Sequence, residues 1–424
     1  MTIGTIEPSS NWHEFVSEWV ENAGKDGDLA RIIGVAEVCF AIVYGTNRVV
    51  FSVANRTLKT SVFEPTFTLR ASQHDWDLFL EQIPPPTYQN FFGMLMRVES
   101  AGVDGDELTF VQHAHIVRRV LELARQVASG ISVGNLAVEE RETDSRSGSY
   151  LPLTLHNSAT TIYLEQSGEG RDVLLLHTAG ADSRQFRHLM NDSRVTDNYH
   201  LVSFDLPGHG RSEPYSDVQP GNQKLTTDSY VDCIMSVVRQ MKLKQPIVVG
   251  ASMAGAVCLE LAYRHPDEIG GVVACEASEK IEGRQVVWAL HPLVNQSLFV
   301  PEWVEGLMAP NSPQRYRDEI WWGYSQGGYG TFFGDILFYS GEWNAADRVP
   351  HIDTGLCPVV MLTGEYDYSC TPEMSRATAE KIPGAVFQVM RELGHFPHAE
   401  NPPLFVDYLL PALAQIEKNE GQLA

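Results

Sequence analysis

The stretch that most constrains the fold is Ile247-Val248-Val249-Gly250-Ala251-Ser252-Met253-Ala254-Gly255. A β-branched run ends at a glycine, a serine follows between small residues, and an apolar, helix-favouring segment (residues 256–263) begins at once. The pattern reads as strand, tight turn and helix with a hydroxyl at the apex. A turn sharp enough to hold the serine clear of both elements puts its backbone in a strained region, which only small neighbours tolerate. Gly250, Ala254 and Gly255 supply that room. The N–H of Met253, at the start of the helix, is free to point at a developing oxyanion. The same residues also fit a serine that merely caps its helix, so the rest of the chain must decide.

A chain of 424 residues suggests about two domains. A hydrophobic content of 43% with 20% charged residues describes a globular protein with ample core. The formal net charge of −23 argues against nucleic acid or an anionic membrane surface as partner, although it could simply serve solubility. The first twelve residues lack a basic region followed by an apolar stretch, so no secretory signal is read, and no apolar run approaches a membrane span of about 20 residues. Cys39, Cys233, Cys258, Cys275, Cys357 and Cys370 are scattered without metal-ligand spacing. They read as reduced core thiols of a cytoplasmic protein.

Trp12, Phe15 and Trp19 recur at helical spacing and are followed by a loop over residues 24–27. Residues 38–44 and 48–53 flank Gly45-Thr46-Asn47 and predict a hairpin, and residues 66–70 predict another strand. Ser72 with Asp75 opens a capped amphipathic helix, residues 88–98 are helical in pattern, residues 106–112 read as a short strand, and residues 114–128 as a clear helix. This order, over roughly residues 30–130, weakly resembles the sterol-carrier-protein-2-like fold, which implies an apolar tunnel between sheet and helices. The plainer reading is a small α+β appendage that forms a homodimer or shapes the active site. The expected division is therefore an N-terminal α+β domain over residues 1–135 and a Gly-, Ser- and charge-rich linker over 136–150.

From residue 151 the pattern changes. A hairpin is expected over residues 151–156 and 160–164, then buried strands at 173–176, 199–204, 247–249, 271–275, 358–362 and 386–390, separated by helical patterns such as 227–241 and 404–416. Alternating strands and helices imply a mostly parallel sheet covered on both faces. Residues 278–350 interrupt the rhythm with Trp288, Trp303, Trp321, Trp322, Tyr324, Tyr329, Phe332, Phe333, Phe338, Tyr339 and Trp343.

The strand–Ser252–helix turn resembles the nucleophile elbow of the α/β-hydrolase fold, with Ala254 where the usual Gly-x-Ser-x-Gly pattern has its last glycine. Gly364-Glu365-Tyr366-Asp367 after an apolar strand matches the position where members of that superfamily carry their acid, and His395-Phe396-Pro397-His398-Ala399-Glu400-Asn401-Pro402 closely matches their histidine loop. Asp205-Leu206-Pro207-Gly208-His209-Gly210-Arg211-Ser212 matches a structural turn of the fold. The resemblance covers about residues 151–417 and implies an α/β-hydrolase core over 151–277 and 351–424 with a helical cap over 278–350. It further implies Ser252 as nucleophile, His395 as base and Asp367 as acid, in the chain order Ser, acid, His. Rival positions are His398 for the base, and Glu276, or less so Glu365 and Asp347, for the acid. The oxyanion donors implied are the N–H groups of Met253 and, by position in His177-Thr178-Ala179-Gly180, of Ala179; His177 would brace this loop. Thr178 departs from the His-Gly usual there.

An activated hydroxyl with oxyanion donors supports acyl transfer to water. The expected function is hydrolysis of an ester or lactone of a hydrophobic or aromatic small molecule, with Trp321, Trp322, Tyr324, Phe332 and Phe333 as substrate contacts. No dinucleotide fingerprint or phosphate loop is present, so no cofactor or metal is expected. The alternatives are a carbon–carbon hydrolase acting on a β-diketone or ring-cleavage product, and a non-catalytic lipid or small-molecule binding protein.

Overall fold

Period-two alternation along Val38–Tyr44 (β1) and Asn47–Ala54 (β2) produces the expected hairpin, with Tyr44 opposite Asn47 and Gly45 at φ 58° in the turn. A second tight turn, Asn55-Arg56, with both residues at positive φ, leads into Thr57–Thr60 (β3). A two-residue turn of the type I′ class demands that conformation at both residues, and Asn tolerates it better than most. Phe67–Ala71 (β4) runs parallel to β1, and Gly102–Gly105 (β5) lies antiparallel to β4. The sheet order is β3-β2-β1-β4-β5.

The computed structural model describes residues 10–130, 144–155 and 157–420. The chain divides into two compact units, Met1–Arg141 with Pro292–Gly306, and Glu142–His291 with Leu307–Ala424.

In the first unit the helix Ser10–Lys25 carries Trp12, Phe15 and Trp19 on one buried face, and the Trp19 indole N–H donates to the Val120 carbonyl at 2.8 Å. Phe40 and Phe67 stack at 5.4 Å, while Phe51 and Phe110 pack beside them, so the core is largely aromatic. Three local expectations change. In place of the loop at residues 24–27, the helix Ser10–Lys25 runs up to Asp26, whose carboxylate caps a second helix, Gly27–Ile33. The strand expected at 106–112 is the helix Glu107–Gln112: the Asp106 carboxylate accepts from the amides of Leu108 and Thr109, an N-cap that outweighs the β-propensity of the residues after it. Within the 278–350 insert, the helix Gln296–Glu305 belongs to this unit. Arg118 reaches Glu302 by a guanidinium–carboxylate bond, and Phe92 meets Phe299 and Trp303 edge-on.

The second unit holds an eight-stranded sheet. Its strands are Ser147–Leu155 (β6), Ser158–Ser167 (β7), Arg171–Leu176 (β8), Tyr199–Phe204 (β9), Ile247–Ala251 (β10), Gly271–Cys275 (β11), Val359–Gly364 (β12) and Val386–Met390 (β13). Their order is β13-β12-β11-β10-β8-β9-β7-β6, parallel from β9 through β13 and antiparallel at the β6/β7 edge. Most of the expected linker lies outside the described residues. Its end does not behave as a linker, because Ser147 of β6 already pairs with Gln166 of β7.

Val173, Leu175, Val249, Ala251, Val273 and Val360 turn one way and pack against Phe405, Leu409, Leu413 and Ile416 of the helix Pro402–Glu420. The elbow helix, Met253–Arg264, packs on β10 and β11. Gly255 allows it to lie close, since a Cβ there would sit 2.0 Å from the Cys275 carbonyl oxygen. Among the described residues, no helix is long and apolar enough to cross a membrane.

Candidate active site

In a parallel sheet every strand delivers its carboxyl end to the same edge. That edge collects the loops after β8, β10, β11, β12 and β13, and every residue expected to do chemistry lies on one of them. Ser252 follows β10 directly, with φ 62° and ψ −125°, the strained elbow conformation that the small neighbours anticipated. Its amide donates to the Cys275 carbonyl at 3.1 Å, and Ser252 is 2% exposed.

His395, on the loop after β13, donates from Nδ1 to Asp367 Oδ2 at 2.7 Å. That bond fixes the proton on Nδ1 and leaves Nε2 as an acceptor. The second oxygen of Asp367 accepts from the amides of Ser369 at 2.7 Å and Cys370 at 3.2 Å. Burial alone would raise the Asp367 carboxyl. The neighbouring imidazole and the hydrogen bonds from His395 and the Ser369 amide outweigh it and hold the group below the usual carboxylate range. The rivals sit elsewhere or act differently. His398 is stacked on Phe186, and burial followed by the nearby His395 and His177 pushes it down to about 3. Glu365 pairs with Arg391 at 2.6 Å.

The loop after β8 is held by a polar network. His177 donates from Nδ1 to the Thr178 carbonyl at 2.9 Å and accepts the Leu206 amide at Nε2 at 3.1 Å, so it is neutral and braces two loops. Burial, then the nearby His209, lowers its pKa in agreement. The Thr178 amide goes to Gln185 Oε1 at 3.1 Å, and the Gly180 amide to the buried Asp335 carboxylate at 2.7 Å. Among the described residues, the amides of Ala179 and Met253 have no hydrogen-bond partner. In the turn after β9, Asp205 accepts the amides of Ser183 and Arg211, each at 2.8 Å.

The insert contributes unevenly. Tyr324 joins its hydroxyl to Thr178 Oγ1 at 2.8 Å and lays its ring 5.7 Å from Phe396. Phe332 packs on Tyr324 and against Gly180, where a Cβ would meet its ring at 2.7 Å. Trp321 and Phe333 are half-buried, and Trp322, 62% exposed, faces solvent. Three residues did not figure in the sequence-based site. Tyr339 is fully buried, and burial, followed by Cys370 and Asp367, pushes its hydroxyl up while Ser252 and Ser369 oppose the shift. Asp335 also takes His209 at 2.7 Å. Glu400 accepts from the amides of Gly394 (2.6 Å), Ala309 (3.1 Å) and Phe396 (3.2 Å) and from the Ser312 hydroxyl (3.0 Å). Only Glu400 had a visible signal, its place in the histidine-loop run.

Glu276, Asp367 and His395 place their donor atoms within 4.8 Å of one another, the spacing a metal ion would need. Asp367 and His395 are bonded to each other, Glu276 accepts the Gly364 amide, and Asp367 accepts the Ser369 and Cys370 amides. A separate open depression of about 540 Å³ on the first unit is lined by Asp75, Tyr88, Arg97, Val98, Glu99 and Ser100. Of its two carboxylates, Asp75 already serves the hydroxyls of Ser72, Ser100 and Tyr88.

The sequence model of the alpha/beta hydrolase family matches residues 173–408, more than half of the chain. The chain belongs to the alpha/beta hydrolase family. Among curated relatives it is similar to 2-hydroxymuconate semialdehyde hydrolase of Pseudomonas putida, at 23% identity over 60% of this chain and 91% of that protein. Among solved structures this hydrolase shares its fold with a thermophilic esterase from Thermogutta terrifontis (TM-score 0.56, 20% identity, 63% of this chain and 99% of that one). It also shares the fold of the enol-lactonase from Burkholderia xenovorans LB400 (TM-score 0.54, 17% identity, 62% and 100%).

Proposed function

We propose that this alpha/beta hydrolase is a serine hydrolase that cleaves an ester or lactone of a hydrophobic small molecule through an acyl-enzyme. The observation that carries the reading is the strained Ser252 elbow on the same sheet edge as the 2.7 Å His395–Asp367 bond. His395 Nε2 takes the proton from Ser252 Oγ as the hydroxyl attacks the carbonyl, then returns it to the leaving group. Asp367 holds the tautomer and offsets the imidazolium charge. Ala179 and Met253 offer the oxyanion donors, a role favoured by the prior commitment of the Thr178 and Gly180 amides to side chains. Tyr324 and Phe332, packed on the loop after β8, are the substrate walls this reading prefers over the solvent-facing Trp322.

A second reading, hydrolysis of a carbon–carbon bond, is favoured by the similarity to 2-hydroxymuconate semialdehyde hydrolase. The same Ser, His and Asp would serve it, with a proton donor needed for the departing carbanion. For the first unit, the mixed five-stranded sheet followed by the helix Ala114–Ser129 supports, as a proposal, the resemblance to the sterol-carrier-protein-2-like fold.

A panel of aryl esters, acyl thioesters, macrolactones and β-diketones separates these readings. Esters or lactones with apolar acyl or aryl groups are expected to turn over. Turnover of β-diketones alone, with every ester left intact, assigns the carbon–carbon reaction instead.

A further inference from the structure

Behind the His395–Asp367 pair stands a second carboxyl. Glu276 follows β11 directly with its backbone at φ 51°, is completely buried, and accepts the Gly364 amide with both oxygens at 3.0 and 3.1 Å. Gly364 closes β12, so this bond ties the ends of β11 and β12 at the point where the Asp367 loop departs. One of its carboxyl oxygens lies within 4.8 Å of an Asp367 oxygen and of a His395 ring nitrogen. The groups facing it are Asp367 from the loop after β12, His395 and Glu400 from the segment after β13, and the adjacent Cys275 thiol of β11. None of these is a permanent cation. Ionised together, Glu276 and Asp367 would share one neutral imidazole, a charge arrangement that burial strongly disfavours.

We propose that Glu276 is a positioning residue that stays protonated through the working range of the enzyme and donates its proton as a hydrogen bond to the Asp367 carboxylate, so that the acid of the site is a carboxyl–carboxylate pair. The inference rests on reading Asp367 and His395 as acid and base. In this arrangement Asp367 has four donors: the Ser369 and Cys370 amides, the imidazole and Glu276. The pair carries one negative charge, matched to the one positive charge that forms on His395 during acyl transfer. Burial, followed by the charge of Asp367, pushes the Glu276 carboxyl well above the usual range, in keeping with the geometry.

The state of Glu276 is read directly, without any substrate, by infrared spectroscopy of the whole chain at neutral pH. The wild type minus Glu276→Gln difference spectrum should contain the C=O stretch of a protonated carboxylic acid, displaced when glutamate is supplied with a ¹³C carboxyl. Absence of that band overturns the proposal whether or not the protein is a serine hydrolase. The pH profile supplies the second readout. An ionised Glu276 would stabilise the imidazolium and raise the acidic limb of kcat/KM, so its replacement by glutamine would lower that limb by about one unit or more. A neutral Glu276 predicts a limb that moves by less than about 0.3 unit, because glutamine is also neutral and also a donor. Glu276→Leu, which cannot donate, should lose about ten times more kcat/KM than Glu276→Gln. Equal losses in the two variants, or a lowered limb in the glutamine variant, contradict the proposal.

Discussion

Ser252→Ala is expected to leave a folded protein whose kcat is lower by about four to six powers of ten. Alanine can adopt whatever backbone strain serine bears at φ 62°, and no side-chain cap of the elbow helix is lost, because the Ser252 hydroxyl makes none. On the proposed function what disappears is the nucleophile, and residues of a triad act as a unit, so the imidazole and oxyanion donors would not compensate for its loss. The measurement is steady-state turnover of whichever ester the panel identifies, alongside circular dichroism to establish folding. Turnover within tenfold of the wild type would remove Ser252 from the chemistry.

Asp367→Asn is the second large effect, with kcat expected to fall by about three to four powers of ten. The asparagine carbonyl takes over the Ser369 and Cys370 amides, which the Asp367 Oδ1 atom now accepts. Its NH2 group then points at His395 Nδ1 and favours the opposite tautomer, with the proton on Nε2, where it blocks acceptance of the serine proton. Glu276→Gln keeps a donor toward Asp367 and should cost far less. A reversed ranking of the two variants, measured by kcat on the same substrate, would move the acid from the loop after β12 to the end of β11.

The features that could be read from the sequence are those set by neighbours along the chain. The elbow is one: Gly250, Ala254 and Gly255 are required within a few residues of Ser252, and each requirement is steric. The parallel sheet is another, because buried strands alternate with helical patterns over the whole second unit. The histidine loop was legible as a run of eight residues, including Glu400, although its four-donor carboxylate was not. Sequence reasoning failed where a single polar side chain overrules propensity. Asp106 turns an apparent strand into a helix, and Asp26 does the same for an apparent loop. The strand β3 escaped notice because Asn55-Arg56 lacks the glycine that usually announces a two-residue turn.

Side-chain direction was the least legible level. Trp321 and Trp322 are adjacent in sequence, yet on the helix Gln314–Ser325 one is half-buried and the other faces solvent. Tyr339 stood among many aromatics of the insert, and nothing local distinguishes the ring whose hydroxyl is under the influence of Ser252 from its neighbours. Glu276 was visible only as a rival to Asp367. Both positions are occupied at once, and that follows from the strand order, which sets β11 beside β12.

The central claim is that Ser252 is an activated nucleophile, and covalent labelling addresses it without knowledge of the natural substrate. The protein is incubated with an aryl-bearing serine-directed phosphonate and analysed by intact mass and peptide mapping. The expected result is one adduct per chain, on the peptide containing Ser252, formed slowly in Asp367→Asn and absent in Ser252→Ala. An unmodified Ser252, or an adduct of equal extent in the Ser252→Ala protein, would contradict it.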